Sequence, residues 1–157
     1  MKKILLACSM FQLLVLYAAA QVKLQQLRTE NLVNPIGINV PQPRFSWQLI
    51  SNKRNTTQTA FEIIVYAPAG GKSAAWKSGK IMSDSSVQVT YRGVPLKSGV
   101  KYTWEVRVWD NNNKPSPWSE PAFFQTALLD VSDWKAQWIA PGYTEDSVMR
   151  PSPLFRK

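Results

Sequence analysis

The chain has 157 residues, which is room for one ordinary domain and little more. It contains no histidine and a single cysteine, Cys8, so catalysis by histidine, thiolate metal sites and a disulfide framework are excluded, and no cofactor or metal is expected. The 19 basic and 10 acidic residues give a net charge of +9, but the charges are interspersed along the chain, which excludes the clustered pattern of a nucleic-acid binder.

Residues 1–20 predict a signal peptide. Two lysines are followed by an apolar run over residues 4–17 and then by three alanines, so cleavage is expected between Ala20 and Gln21. The run is shorter than the roughly 20 apolar residues that span a bilayer, so no stable membrane span is expected after cleavage. Lipidation at Cys8 is the alternative, but the apolar stretch before it is too short. The protein is therefore expected to be exported, to the periplasm, the extracellular medium or the cell surface.

From Gln21 onward, short stretches of alternating apolar and polar residues recur between turn formers, which is typical of an all-β sandwich or barrel. Prolines and a glycine between residues 34 and 43 predict an irregular edge segment. Gly70 and Gly71 predict a turn. Seven strands are predicted: Val22–Leu27, Arg44–Ile50, Thr59–Ala67, Trp76–Ile81, Ser85–Tyr91, Tyr102–Trp109 and Pro121–Thr126.

The alternation also predicts which side chains face the core. Every second residue from Tyr102 to Val108 is apolar or aromatic, so this strand is expected to be central, and Trp47 and Trp104 are expected at the buried centre. The other residues expected on inward faces are Phe45, Leu49, Phe61, Ile63, Val65, Val87, Val89 and Tyr91. Seven short strands within residues 22–127 match a seven-stranded antiparallel immunoglobulin-like sandwich.

Residues 96–106 read Leu-Lys-Ser-Gly-Val-Lys-Tyr-Thr-Trp-Glu-Val, which resembles the fibronectin type III signature before the sixth strand. In that family a tyrosine hydroxyl bonds back to the upstream backbone at the corner of the sandwich. The resemblance implies this role for Tyr102, with Leu96 and Gly99 at the positions that the corner needs.

Several segments taken together indicate a more specific family resemblance. They are Asn-Pro-Ile-Gly-Ile at 34–38, Pro-Arg-Phe-Ser-Trp at 43–47, Trp-Lys-Ser-Gly-Lys at 76–80, Trp-Glu-Val-Arg-Val-Trp-Asp at 104–110, Ser-Pro-Trp-Ser at 116–119 and Phe-Gln-Thr-Ala-Leu at 124–128. In this order they resemble the N-terminal module of secreted bacterial α-L-rhamnosidases. Residues 133–139 resemble the start of the next domain in those enzymes, so 128–157 is expected to be a linker and the beginning of a truncated second β-domain.

The acidic residues do not predict a catalytic site. Glycoside hydrolysis needs two facing carboxyl groups about 5 to 10 Å apart. Glu62 and Glu105 fall on the polar sides of predicted strands. Four further acids fall in turns, namely Asp110, Glu120, Asp130 and Asp133, and all six are expected to be solvated. No catalytic or metal-binding residue is therefore assigned, and the resemblance implies that the catalytic acids lie beyond Lys157, in a helical barrel.

Exposed aromatic residues are the remaining candidates for a site. Trp109, Trp118 and Tyr66 could stack against sugar rings, whereas a cation–π contact between Trp118 and Arg107 is the structural alternative. The preferred interpretation is a non-catalytic module of an exported, inverting α-L-rhamnosidase-like glycoside hydrolase, with the neighbouring domains of the parent enzyme as partners. The alternative is a free-standing carbohydrate-binding or adhesion module that binds rhamnose-containing glycans.

Overall fold

The computed structural model describes residues 22–67, 74–137 and 148. Its elements are β1 (Lys23–Thr29), β2 (Ile36–Ile38), β3 (Arg44–Ile50), β4 (Gln58–Tyr66), β5 (Ala74–Lys77), β6 (Ile81–Met82), β7 (Val89–Thr90), β8 (Lys101–Asp110), β9 (Ala122–Thr126) and the 3₁₀ helix η1 (Val131–Asp133). The predicted signal peptide and the Gly70–Gly71 turn lie outside the described residues. Within the described ranges, no helical segment has the length and apolarity needed to cross a membrane.

Two sheets form a sandwich, as the sequence predicted. The smaller sheet has the order β1-β3-β7, and the larger has the order β2-β9-β8-β4-β5, with β6 also paired to β4. The pairing of β4 with β8 is antiparallel and extends from Gln58↔Asp110 to Tyr66↔Thr103. The irregular segment adds the short strand β2, which pairs with β9 in parallel.

The segment of the chain between β4 and β8 differs from the prediction. The strand predicted at Trp76–Ile81 is divided into β5 and β6, because Gly79 turns the chain with a φ of +65°. The strand predicted at Ser85–Tyr91 contributes only β7, because Gln88 has a φ of +57° and breaks the extended backbone. Val87 was expected to face inward and is instead 60% exposed.

The core lies between the sheets and is rich in aromatic rings. Trp104 is fully buried, with its ring centroid 4.5 Å from that of Phe45, and Phe124 packs 5.9 Å from Phe45. Trp47 is also buried, and its indole Nε1 donates a 3.0 Å hydrogen bond to Oε1 of Gln58. Aromatic pairs at these separations contribute stability to the core in addition to the stability that comes from burying their surface.

Tyr102 lies where the chain enters the central strand β8. Its hydroxyl accepts a 2.9 Å hydrogen bond from the backbone N–H of Lys97, and Leu96 is buried beside it. Gly99 takes a φ of +69°, which a residue with a side chain rarely adopts. This corner therefore joins the buried hydroxyl to the upstream backbone.

Candidate functional site

The outer face of the larger sheet carries the polar and aromatic side chains of β4 and β8. Along β8 the core receives every second residue from Tyr102 to Val108. The alternate residues, which include Arg107 and Trp109, therefore lie on the outer face. Glu62 of β4 pairs directly with Arg107, and Nη2 of the arginine lies 2.6 Å from Oε2 of the glutamate.

Four side chains form a cation–aromatic ladder on this face: Lys80, Trp109, Arg107 and Trp118. The Arg107 guanidinium carbon lies 4.7 Å from the ring centroid of Trp118 and 5.0 Å from that of Trp109. The Lys80 ammonium lies 4.6 Å from the Trp109 centroid. Each cation–π contact of this kind contributes about 0.5–1 kcal/mol at exposed sites. The ladder thus links β8 with two loop segments.

The Ser-Pro-Trp-Ser segment places Trp118 beside Arg107. The N–H groups of Ser116 and Ser119 donate to the carbonyls of Val108 and Val106, at 2.8 and 2.9 Å. The two serine hydroxyls accept in return from the N–H groups of Val108 and Val106, each at 3.1 Å. The segment therefore completes the hydrogen bonding of β8 before β9 begins. The three-residue spacing of the two serines is the feature of the sequence that signals these bonds to β8.

The three aromatic residues proposed for sugar stacking do not form one platform. Trp109 and Trp118 are brought together by Arg107, which is the cation–π contact considered as the alternative. Tyr66 pairs with Thr103, six residues along β8 from Trp109 and hence about 20 Å away along the strand. A ring placed on Trp109 would also compete with the two cations over it.

The acids on and beside the outer face differ in their surroundings. Glu62 is neutralised by Arg107. Burial raises the pKa of the Glu105 carboxyl above its usual range, and the negative charge of Glu120 raises this pKa further. Glu120 lines clefts beside β1 whose walls do not include Glu105. Neither cleft therefore places a glycosidic bond between the carboxyl groups of Glu105 and Glu120.

Two acids in loops, Asp110 and Asp130, accept hydrogen bonds from backbone N–H groups. Oδ1 of Asp110 accepts from the N–H groups of Asn112 and Lys114 in the turn after β8, and Oδ1 of Asp130 accepts from the N–H of Ser132 in η1. Among residues 22–67, 74–137 and 148, no three acidic or other ligating side chains are grouped so as to hold a metal ion.

Comparison with protein families gives a match over nearly the whole sandwich. The family model described as "Rha78A-like, N-terminal immunoglobulin domain" matches residues 24–130. Among curated proteins, an α-L-rhamnosidase of Streptomyces avermitilis is 41% identical over 113 residues, which are 71% of this chain and 11% of that protein. An α-L-rhamnosidase of Alteromonas sp. strain LOR is 42% identical over 123 residues, covering 76% of this chain and 13% of that protein.

Solved structures give the same result. The Streptomyces avermitilis α-L-rhamnosidase complexed with L-rhamnose matches with a TM-score of 0.71 and 37% identity, over 76% of this chain and 12% of that one. The α-L-rhamnosidase of Dictyoglumus thermophilum matches with a TM-score of 0.70 and 32% identity, over 80% of this chain and 14% of that one. The chain thus spans about one eighth of the length of the relatives that it matches.

Proposed function

The chain belongs to the family of Rha78A-like N-terminal immunoglobulin domains, and we propose that it is the non-catalytic N-terminal module of an exported α-L-rhamnosidase-like glycoside hydrolase. The match of residues 24–130 to this family carries the proposal, together with the relatives that extend far beyond the matched part. The parent protein would hydrolyse terminal α-L-rhamnose from glycans with inversion, and its catalytic acids would lie in a later domain. The leader predicted at residues 1–20 would direct its export.

The module itself would act as a scaffold for the neighbouring domains of the parent. An inverting hydrolase needs one carboxylic acid and one carboxylate across a bound sugar. In this sandwich Glu62 is held by Arg107, and the carboxylates of Asp110 and Asp130 are held by backbone N–H groups. These acids stabilise local structure, which supports a structural role for the module.

The alternative function, carbohydrate binding through Trp109, Trp118 and Tyr66, meets a physical obstacle. A sugar that stacks on an indole must occupy a ring face, and the ladder places cations over the indoles of Trp109 and Trp118. Binding on a ring face that Arg107 covers would have to displace this side chain from a contact that also includes its ion pair with Glu62. We therefore assign the two tryptophans to stiffening the outer face.

Titration of residues 21–157 with L-rhamnose and with a rhamnosylated glycan separates these roles. Under the scaffold proposal, tryptophan fluorescence and the heat of mixing show no saturable change up to about 10 mM sugar, a concentration that would detect even millimolar affinity. Saturable quenching that disappears in Trp118→Ala and persists in Tyr66→Phe would contradict the scaffold proposal and establish a sugar site on the ladder.

A further inference from the structure

The chain leaves the sandwich through a segment that is held firmly against it. After β9, the N–H of Ala127 donates to the Ile38 carbonyl at 2.7 Å. The Ser98 hydroxyl then accepts a 2.8 Å hydrogen bond from the N–H of Leu129 and donates to Oδ2 of Asp133. We call Ser98, Leu129 and Asp133 the exit clamp. Because one hydroxyl bonds both ends of this short stretch, the clamp fixes the direction in which the chain departs.

The clamped segment nevertheless exposes large apolar side chains. Leu128 is 45% exposed, Val131 is 92% exposed and Trp134 is 59% exposed. We call these three residues the exit patch. Asp130 caps η1, and the N–H of Trp134 donates to the Val131 carbonyl at 3.1 Å, so the backbone that carries the patch is ordered by hydrogen bonds. Ordered apolar side chains that are exposed to water are typical of a surface that another protein or domain covers.

A cleft adjoins the exit patch. It has a volume of about 670 Å³, and its walls include Pro41 and Leu96 from the sandwich and Leu129, Asp130 and Asp133 from the exit segment. The Asp133 carboxylate takes part in the exit clamp. The clamp therefore forms one wall of the cleft, beside the exposed apolar side chains. Together, the exit patch and the cleft offer a neighbouring domain both a protrusion and a recess.

We propose that the exit patch is the docking surface for the domain that directly follows this module in the parent protein. The inference rests on the proposed function. The occupant follows from position, because the family match ends at residue 130, inside the clamped segment, and the relatives are about eight times as long as the part that this chain covers. The next domain is therefore tethered within a few residues of the patch. Tethering supplies an effective concentration of about millimolar order, so a small apolar contact is enough.

Hydroxyl-radical footprinting tests the docking surface without relying on catalysis. Trp134 is compared between residues 21–157 and the full-length parent protein, with Met82, 72% exposed and located in β6, as the internal control. Covering a side chain that is 59% exposed should slow its oxidation several-fold, while Met82 reacts at the same rate in both proteins. Equal rates for Trp134 in the two proteins would overturn the proposal, as would protection in the short chain accompanied by dimers in sedimentation, since a second copy would then be the occupant.

A matched pair of variants in the parent protein shows whether the patch itself makes the contact. Val131→Asp should restore Trp134 oxidation to the rate of the short chain, whereas Val87→Asp, at an exposed valine elsewhere, should leave the protection unchanged. Persistent protection in Val131→Asp would overturn the role of the patch. Rhamnoside hydrolysis is assayed in parallel. A protected Trp134 in a parent without hydrolysis would reject the proposed function alone, and hydrolysis with an unprotected Trp134 would reject the docking surface alone.

Discussion

Replacing Trp104 with alanine should lower the free energy of unfolding of residues 21–157 by about 3–5 kcal/mol. The indole is fully buried in the central strand, 4.5 Å from the ring of Phe45. Within the described residues its Nε1 makes no hydrogen bond, so the loss is one of packing and of the cavity left behind. Urea denaturation followed by circular dichroism measures the change.

Trp134→Ala is the matched control for this substitution. Trp134 is 59% exposed, and its truncation in the isolated chain should change the stability by less than about 0.5 kcal/mol. A Trp104→Ala protein that unfolds in two states and loses less than about 1 kcal/mol would contradict the assignment of Trp104 to the centre of the core.

The double substitution Ser116→Ala and Ser119→Ala should destabilise the chain by about 2–6 kcal/mol, because each buried donor left without a partner costs about 1–3 kcal/mol. The two hydroxyls accept from the N–H groups of Val108 and Val106, and both serines are buried. Amide hydrogen exchange of those two valines should accelerate more than that of Ile63, which lies across the sheet in β4. Urea denaturation gives the total loss.

Ser132→Ala, at an exposed serine of η1, is the control and should leave the unfolding curve unchanged. The two single variants should each show about half of the combined loss. If the double variant instead unfolds within 1 kcal/mol of the unmodified chain, water must replace the hydroxyls without cost, and the Ser-Pro-Trp-Ser segment does not complete β8 in the way described.

Much of the fold could be predicted because one face of each long strand is buried. In β3, β4, β8 and β9 this produces a period of two that marks both the strand and its inward side chains, from Phe45 to Phe124. The stretch after β5 could not be predicted in the same way. There the chain is held by side-chain bonds, such as the one from the Gln88 N–H to the Ser46 hydroxyl, and these leave no periodic signal in the sequence.

The outer-face site was predictable only in part. Alternation places Arg107 and Trp109 on one face, and the residue types favour the cation–π contact of Arg107 with Trp118 that the structure contains. The separation of Tyr66 from Trp109 depends on the register between β4 and β8, which a single sequence does not encode locally. Lys80 lies between β5 and β6, and its place over Trp109 depends on the turn at Gly79.

The most direct measurement is the hydrolysis of p-nitrophenyl α-L-rhamnopyranoside by two purified proteins, residues 21–157 and the full-length parent protein, each assayed for released p-nitrophenol. The account predicts hydrolysis by the parent and a rate equal to the buffer blank for the isolated chain. Hydrolysis by the isolated chain, or a folded parent that leaves the substrate intact, would contradict the conclusion that this sandwich is the non-catalytic module of a rhamnosidase.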